Sequence, residues 1–462
     1  MLVTPFRQFR SGNSGTRLRK CKTNVLQNKN VWHILIQQMC CATVLLEFCK
    51  MTDFYSGSPL DPDDLWFRDE FIDELWEILR NENVILSAPR RTGKTSVMDH
   101  LAARPRHGFT TVEVFVQDLD HPNEFLLTLL DAFHVRHPEL FRTVFRAASD
   151  WFRPLLDRFE SVEVPGFKVA LREKIGTEPD AWKNFGDRNF FSLVRQSKAE
   201  LLFIVDEFPD LIVNMDRNHP DLVRPFLAWH RGHCLKPRPR EDNIRWLLGG
   251  SVNLSSTLDS LGNIDLINHF RDVSLPIFTR DQVEEFVQRM LSERSVPFDV
   301  QLPGAVADVL GRPVPYFLQM LTQNLYRLWK REKRRLVLAD VHECFRELVI
   351  SSAARDKLQH FYSRIQAYYT EPRRSAAYAL LNDLSLSLKG LSRNLLQQRF
   401  EGVLTAAGVT DPEHRRKQLF NQLLRDLEND FYIAEVSAES ERDNLYDFAS
   451  GLLKAWWCKY YA

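Results

Sequence analysis

No C-x-x-C pair occurs among the seven cysteines of this 462-residue chain. That absence argues against a zinc ribbon and against a disulfide framework, and it suits a reducing cytosol. Net charge is missing as well, with 61 lysines and arginines set against 61 aspartates and glutamates. There is no global pull toward nucleic acid or an anionic membrane, so any such contact must come from a local patch. A clean apolar run of membrane length is also lacking. The nearest, VWHILIQQMCCATVLLEFCK, is interrupted by His33, Gln37, Gln38 and Glu47, which a spanning helix disfavours. The stretch HRGHC offers His230, His233 and Cys234 without a partner pair at a metal-site spacing, and it reads as a surface loop.

The first fifty residues lack acids. Glu47 stands alone against Arg7, Arg10, Arg17, Arg19, Lys20, Lys22, Lys29 and Lys50, and Cys21, Cys40, Cys41 and Cys49 crowd the same stretch. An Arg-rich organellar leader is one reading. The simpler expectation is a functional chain beginning at Met51, where composition becomes ordinary, with residues 1–50 a disordered or mis-assigned leader.

The most informative absence is one glycine. Residues 87–96 read SAPRRTGKTS after the apolar run VILS, against the phosphate-loop pattern G-x-x-x-x-G-K-[ST]. Gly93, Lys94 and Thr95 fit, and Ala88 stands at the first glycine. The context is right: DEFIDELWEIL has helical apolar spacing, VILS is a short buried strand, and TSVMDHLA begins a helix. The loop Ala88, Pro89, Arg90, Arg91, Thr92, Gly93, Lys94, Thr95 and Ser96 is therefore the expected nucleotide-binding segment. Its backbone N–H groups and the following helix's positive end converge on phosphates. Lys94 neutralises phosphate charge, and the Thr95 hydroxyl ligates Mg²⁺.

LLFIVDEFPDL at 201–211 reads as a buried parallel strand with two acids at its carboxyl end, where open α/β sheets place ligands. Asp206 is expected to hold the Mg²⁺ shell with Thr95, and Glu207 to activate water as the catalytic residue. A third strand, IRWLLGGS, ends in Ser251, which is either a γ-phosphate sensor or a turn serine. Arg271, before a fourth strand, is either a charge-stabilising finger for a neighbouring subunit or a surface arginine.

FRDEF, APRRTGKTS, VDEFPDL, LLGGS, VSLPIFTRDQVEEFV and GRPVPYFLQML, in that order, resemble the archaeal-type ATPases, AAA+ proteins close to the STAND class that also occur in bacteria. The resemblance covers roughly residues 60–350. In that family a G-R-E-like stretch precedes the loop; here Arg68, Asp69 and Glu70 match loosely and Phe67 replaces the glycine. The P-R-R-x-G-K-T-S form is typical, and the G-x-P element that STAND proteins place over the nucleotide matches Gly311, Arg312 and Pro313. Val252 and Asn253 stand where many STAND proteins carry an arginine. The resemblance implies ATP with Mg²⁺ and an α/β P-loop NTPase parallel sheet in the order 5-1-4-3-2. A helical lid would follow the core.

SVEVPGFKVAL looks like a hairpin turning at Pro165–Gly166. From about residue 355, three helices, a strand pair and GLLKAWWCKYY give a winged-helix succession. Arg373, Arg374, Lys389, Arg393, Arg399, Arg415, Arg416 and Lys417 form a candidate basic surface, with acids mixed among them. DNA and protein are both open as the partner there. The expected organisation is a leader at 1–50, a P-loop core at 51–278, a lid at 279–354 and a winged-helix domain at 355–462. The expected protein is cytoplasmic and membrane-free, either monomeric or a homo-oligomer, and acts as an ATP-driven switch. The alternatives are a nucleotide-gated scaffold or DNA-binding regulator with little turnover, and a small-molecule kinase.

Overall fold

The computed structural model describes residues 64–462 except 89–90, 149, 154–166, 176–179, 236–241, 251–253, 255–256, 259–260 and 437–444. The leader at 1–50 lies outside the described residues. Helix α1 (Asp69–Leu79) opens the fold, with Ile72, Leu75, Trp76, Ile78 and Leu79 turned inward at helical spacing. Next come β1 (Val84–Ser87), α2 (Lys94–Ala103), β2 (Thr110–Phe115) and α3 (Pro122–Arg136). After an inserted group of short helices follow β3 (Leu201–Asp206), α4 (Phe208–Asn218), α5 (Pro220–Leu235), β4 (Ile244–Gly250) and β5 (Arg271–Ser274).

These strands form a five-stranded parallel sheet in the order β2-β3-β4-β1-β5, which is the expected 5-1-4-3-2 read from the other edge. Every residue of β3 and β4 is buried, as the continuous apolar runs of a sheet covered on both faces require. On one face Leu75, Trp76, Val97 and Leu101 pack over Val84, Leu86 and Ile204. On the other, Phe125, Phe208 and Phe226 join the inserted helices over Phe203, Val205 and Trp246. Each such side chain contributes about 1.5–3 kcal/mol by leaving water. Ser87 pairs with Gly250, and Val205 with Leu248, so the ends of β1, β3 and β4 reach one edge together.

The lid consists of α6 (Arg280–Ser292), α7 (Leu302–Leu310), α8 (Pro315–Glu332) and α9 (Leu338–Ile350). Thr279 and Gln282 close a capping box that fixes the first lid helix where it leaves the sheet. Helix α10 (Ser352–Tyr368) then crosses the position expected for a domain boundary. Beyond it lie α11 (Arg373–Leu386), β6 (Leu391–Ser392), α12 (Arg393–Ala406), α13 (Glu413–Asn429), β7 (Ile433–Val436), β8 (Leu445–Phe448) and α14 (Gly451–Tyr460). The strands pair antiparallel in the order β6-β8-β7, which with this succession is the winged-helix topology.

Lid and winged helix share one core. Phe286, Leu321, Leu348, Phe361, Leu380 and Trp456 belong to a single buried cluster. A Cβ on Gly451 would stand 2.4 Å from the Val309 carbonyl oxygen, so α14 begins directly on the end of α7. The two parts therefore pack as one body.

Two local expectations are corrected. The arm expected after Pro165–Gly166 is a helix, Phe167–Ile175, because its straight-chain residues favour helix and Leu171 is drawn into the core. Residues 161–166 lie outside the described residues. HRGHC is not a surface loop but the end of α5. Val223, Phe226, Leu227, His230 and Cys234 continue one buried stripe through the internal Pro225. Among the described residues, no group of three metal-ligating side chains exists, and no helix is long and apolar enough to cross a membrane.

Candidate functional site

The loop after β1 turns on two left-handed residues, Arg91 with φ 71° and Gly93 with φ 93°. Gly93 adopts this conformation freely, whereas arginine does so at about 1 kcal/mol. Gly93 is also the N-cap of α2, so the positive end of that helix lies at the loop. Ala88, Thr92, Lys94 and Ser96 are buried, while Arg91 and Thr95 are half-buried. Pro89, Arg90 and Ser251 lie outside the described residues.

Three predicted side chains converge at the edge where the strands end. Lys94 Nζ donates to Asp206 Oδ1, and Thr95 Oγ1 donates to Asp206 Oδ2 at 2.8 Å. The Glu207 backbone N–H closes on Asp206 Oδ1 at 2.9 Å, which fixes the carboxylate plane. A hydroxyl and a carboxylate oxygen side by side are the hard oxygen donors that Mg²⁺ accepts. The half-buried Glu207 is the N-cap of α4 with φ 60°, a backbone conformation that a glutamate holds only at a cost.

Between loop and acids runs β4, ending in two glycines. A Cβ on Gly249 would lie 2.6 Å from Met98 Sδ and 3.3 Å from Asp206 Oδ1. One on Gly250 would lie 2.3 Å from the Pro209 ring. The glycine pair thus lets α4 and Asp206 close over the strand end.

Sequence reasoning missed the wall beside the loop. Phe67, at the place of the family's glycine, has φ 54°, so the backbone keeps a glycine-like turn there. The turn sends Arg68 inward, where it donates to the Pro276 carbonyl at 2.7 Å and the Thr92 carbonyl at 3.2 Å. Its guanidinium stands 4.9 Å from the centre of the Phe278 ring. Burial lowers its pKa to about 10, still charged at neutral pH. Trp66, Thr92, Gly93, Phe278, Phe286 and Gln319 line a small apolar cavity of about 30 Å³ against the lid. The only signal for it in the sequence was the aromatic pair before Arg68.

Arg68→Ala removes the donor from two carbonyls in this wall. The expected loss is about 1–3 kcal/mol of stability. Arg68→Lys recovers only part, because an ammonium lacks the planar fork. Urea-unfolding midpoints check this, and an unchanged midpoint in the alanine variant contradicts it.

The lid meets the loop one turn beyond the predicted element. Pro313 is buried at the turn before α8, but it is Tyr316 that lies under the Arg91 guanidinium, 4.8 Å from the ring centre. Arg271 starts β5 at the edge opposite the loop, exposed and paired with Glu82 at 3.1 Å. The expected basic surface is partly neutralised. Arg373 pairs with the buried Asp426, Arg374 with Glu371, Arg399 with Asp383 and Arg416 with Glu401.

A carboxyl pair joins the loop helix to β2, Asp99 lying on the helix and Glu113 on the strand. Burial and a hydrogen bond to Glu113 raise Asp99 from 3.8 to about 7, while Arg136 and Lys94 pull it down. The folded state therefore holds the extra proton between about 3.8 and about 7, and stability falls as pH rises through that window. Asp99→Asn removes this dependence. The melting-temperature gap, variant minus wild type, is expected to widen across the window and level off above it. A pH-independent gap contradicts the assignment.

The sheet order, the loop between β1 and α2 and the acid pair ending β3 define the P-loop NTPase fold. The chain is similar to the Walker-type ATPase PABY2304 of Pyrococcus abyssi, with TM-score 0.54, 17% identity and coverage of 87% of this chain and 98% of that one. It also matches the ORC2 protein of Aeropyrum pernix in its ADPNP–ADP complexes, with TM-score 0.48, 14% identity and coverage of 87% and 95%. No protein-family model matches the chain, and no curated protein matches it.

Proposed function

We propose that this protein binds ATP with Mg²⁺ and hydrolyses it to ADP and phosphate, using the cycle as a switch of the AAA+/STAND kind. The observation that carries the reading is the convergence of Lys94 and Thr95 on Asp206, with Glu207 next in the chain. Lys94 supplies a charge for the phosphates, and Thr95 and Asp206 hold the metal, which neutralises charge building on the phosphate oxygens. Glu207 accepts a proton from the attacking water, and its rigid turn holds it in place for that step.

The apolar cavity beside Gly93 is assigned to the base. At about 30 Å³ it has room for roughly one water molecule. The base therefore enters as Phe286 and Gln319 of the lid move back. Because the lid shares its core with the winged helix, that movement carries the winged helix along. This is how nucleotide state reaches the far end of the chain.

For the winged helix we favour a protein partner over DNA. Ion pairs occupy Arg373, Arg374, Arg399 and Arg416, which weakens the positive field available to phosphates. Phosphate release with Mg²⁺-ATP, run with and without duplex DNA, tests both statements. No release from the wild type sinks the hydrolase reading, and stimulation by DNA sinks the choice of partner.

A further inference from the structure

A chain of polar contacts, half-buried at Tyr368 and buried at Arg364 and Asp430, joins the proposed catalytic acid to the winged helix. Its first member is Asp210 in the opening turn of α4, whose N–H donates to the Glu207 carbonyl at 3.1 Å. Its side chain is 3% exposed, and Oδ1 accepts a hydrogen bond from the Tyr368 hydroxyl at 2.9 Å. Tyr368 is the last residue of α10. One turn earlier on that helix, Arg364 lies 5.6 Å from the centre of the Tyr368 ring.

Arg364 is 2% exposed and donates from Nη2 to Asp430 Oδ1 at 3.0 Å. The Tyr369 hydroxyl donates to the other oxygen, Oδ2, at 3.1 Å. Asp430 is the C-cap of α13, the third helix of the winged-helix unit, with its N–H on the Asp426 carbonyl at 2.8 Å. Nearby, the Tyr432 hydroxyl holds the Phe361 carbonyl of α10 at 2.8 Å. Helix α10 is thus tied through its C-terminal half to both α13 and α4.

The energetics make this a stiff connection. A buried arginine–aspartate pair is tolerated only while its geometry is kept, since separating the charges leaves each desolvated. A displacement of α10 is therefore resisted at Asp430 and passed on to Asp210. The Tyr368 hydroxyl bonds a carboxylate at the junction, a contact strong enough to transmit a shift yet removable without opening a cavity.

We propose that Tyr368 is a positioning residue for Glu207, and that it makes the geometry of the acid's helix depend on the winged-helix unit. This rests on the nucleotide reading above. By reciprocity, ATP at the loop changes the free energy of α13, and whatever binds the winged helix changes turnover.

The test is hydrogen exchange on the full chain, wild type and Tyr368→Phe, with and without Mg²⁺-ATP, beside steady-state phosphate release. In the wild type, ATP is expected to protect amides 94–103, the first turn of α4 and residues 426–432. In Tyr368→Phe the protection at 94–103 remains and that at 426–432 is lost. Its kcat falls roughly tenfold, the scale of one hydrogen bond to a charged group, while KM stays within about twofold. Asp430→Asn, which does not touch α4, is expected to abolish protection of the α4 turn. Retained protection at 426–432 in Tyr368→Phe overturns the proposal, as does a wild type protected at 94–103 alone. Absence of any protection at 94–103 in the wild type instead sinks the nucleotide reading, and this proposal falls with it.

Discussion

Lys94→Ala is expected to weaken ATP binding by at least tenfold. A charge-assisted contact is worth about 1.5–3 kcal/mol, and about 1.4 kcal/mol is a factor of ten in affinity. The lysine is buried and already in contact with Asp206, so its loss also strands a desolvated carboxylate. Breaking such a pair costs roughly 3–5 kcal/mol, so the variant is expected to unfold at a lower denaturant concentration as well. Calorimetric titration with Mg²⁺-ATP checks the first effect and a denaturant melt the second. Lys94→Ala with Asp206→Asn in the same chain separates them, because the stranded charge is gone. That double variant is expected to regain much of the stability and none of the affinity. Unchanged ATP affinity in Lys94→Ala overturns the assignment of the loop.

Glu207→Gln is expected to leave ATP binding within about threefold and to cut turnover by roughly 10²- to 10⁴-fold, the usual scale of general-base help. Glutamine keeps the size of the side chain and its place at the head of α4, so the backbone turn at φ 60° is preserved. What it removes is the ability to accept a proton. Binding that collapses with turnover would mean that residue 207 holds the loop together rather than serving the reaction. Turnover that survives would place the base elsewhere.

The parallel sheet was legible because its central strands are short, mostly apolar runs. VILS, LLFIVD and IRWLLGG are buried throughout or nearly so, and the resemblance supplied their order. The loop and the acid pair were legible for a different reason: phosphate and Mg²⁺ chemistry demands particular residues at fixed offsets, and Lys94, Thr95 and Asp206 do meet. The wall at Trp66, Arg68, Phe278 and Phe286 was not, since it draws on three segments far apart in sequence with no local motif. The same holds for Asp210, Tyr368, Arg364 and Asp430, whose contacts span 61 to 158 residues along the chain.

Charge and polarity read along the chain mislead where the fold brings distant residues together. HRGHC looked like an exposed loop because histidine and arginine are polar, yet α5 turns His230 and Cys234 into the core, where burial drives His230 down to about 3. The basic residues after 370 left DNA and protein both open as the partner, because charge counted along the sequence does not show which charges meet. In three dimensions their neighbours are acids drawn from other helices, such as Asp426 for Arg373 and Glu401 for Arg416.

ATP turnover at this site underlies every role assigned to it. Its most direct test is steady-state phosphate release by the full chain with Mg²⁺-ATP, beside Glu207→Gln and a sample held in chelator. Saturable release that the chelator and the substitution each abolish is the expected result. Release equal in all three samples, or none from a wild type that binds ATP, would contradict it.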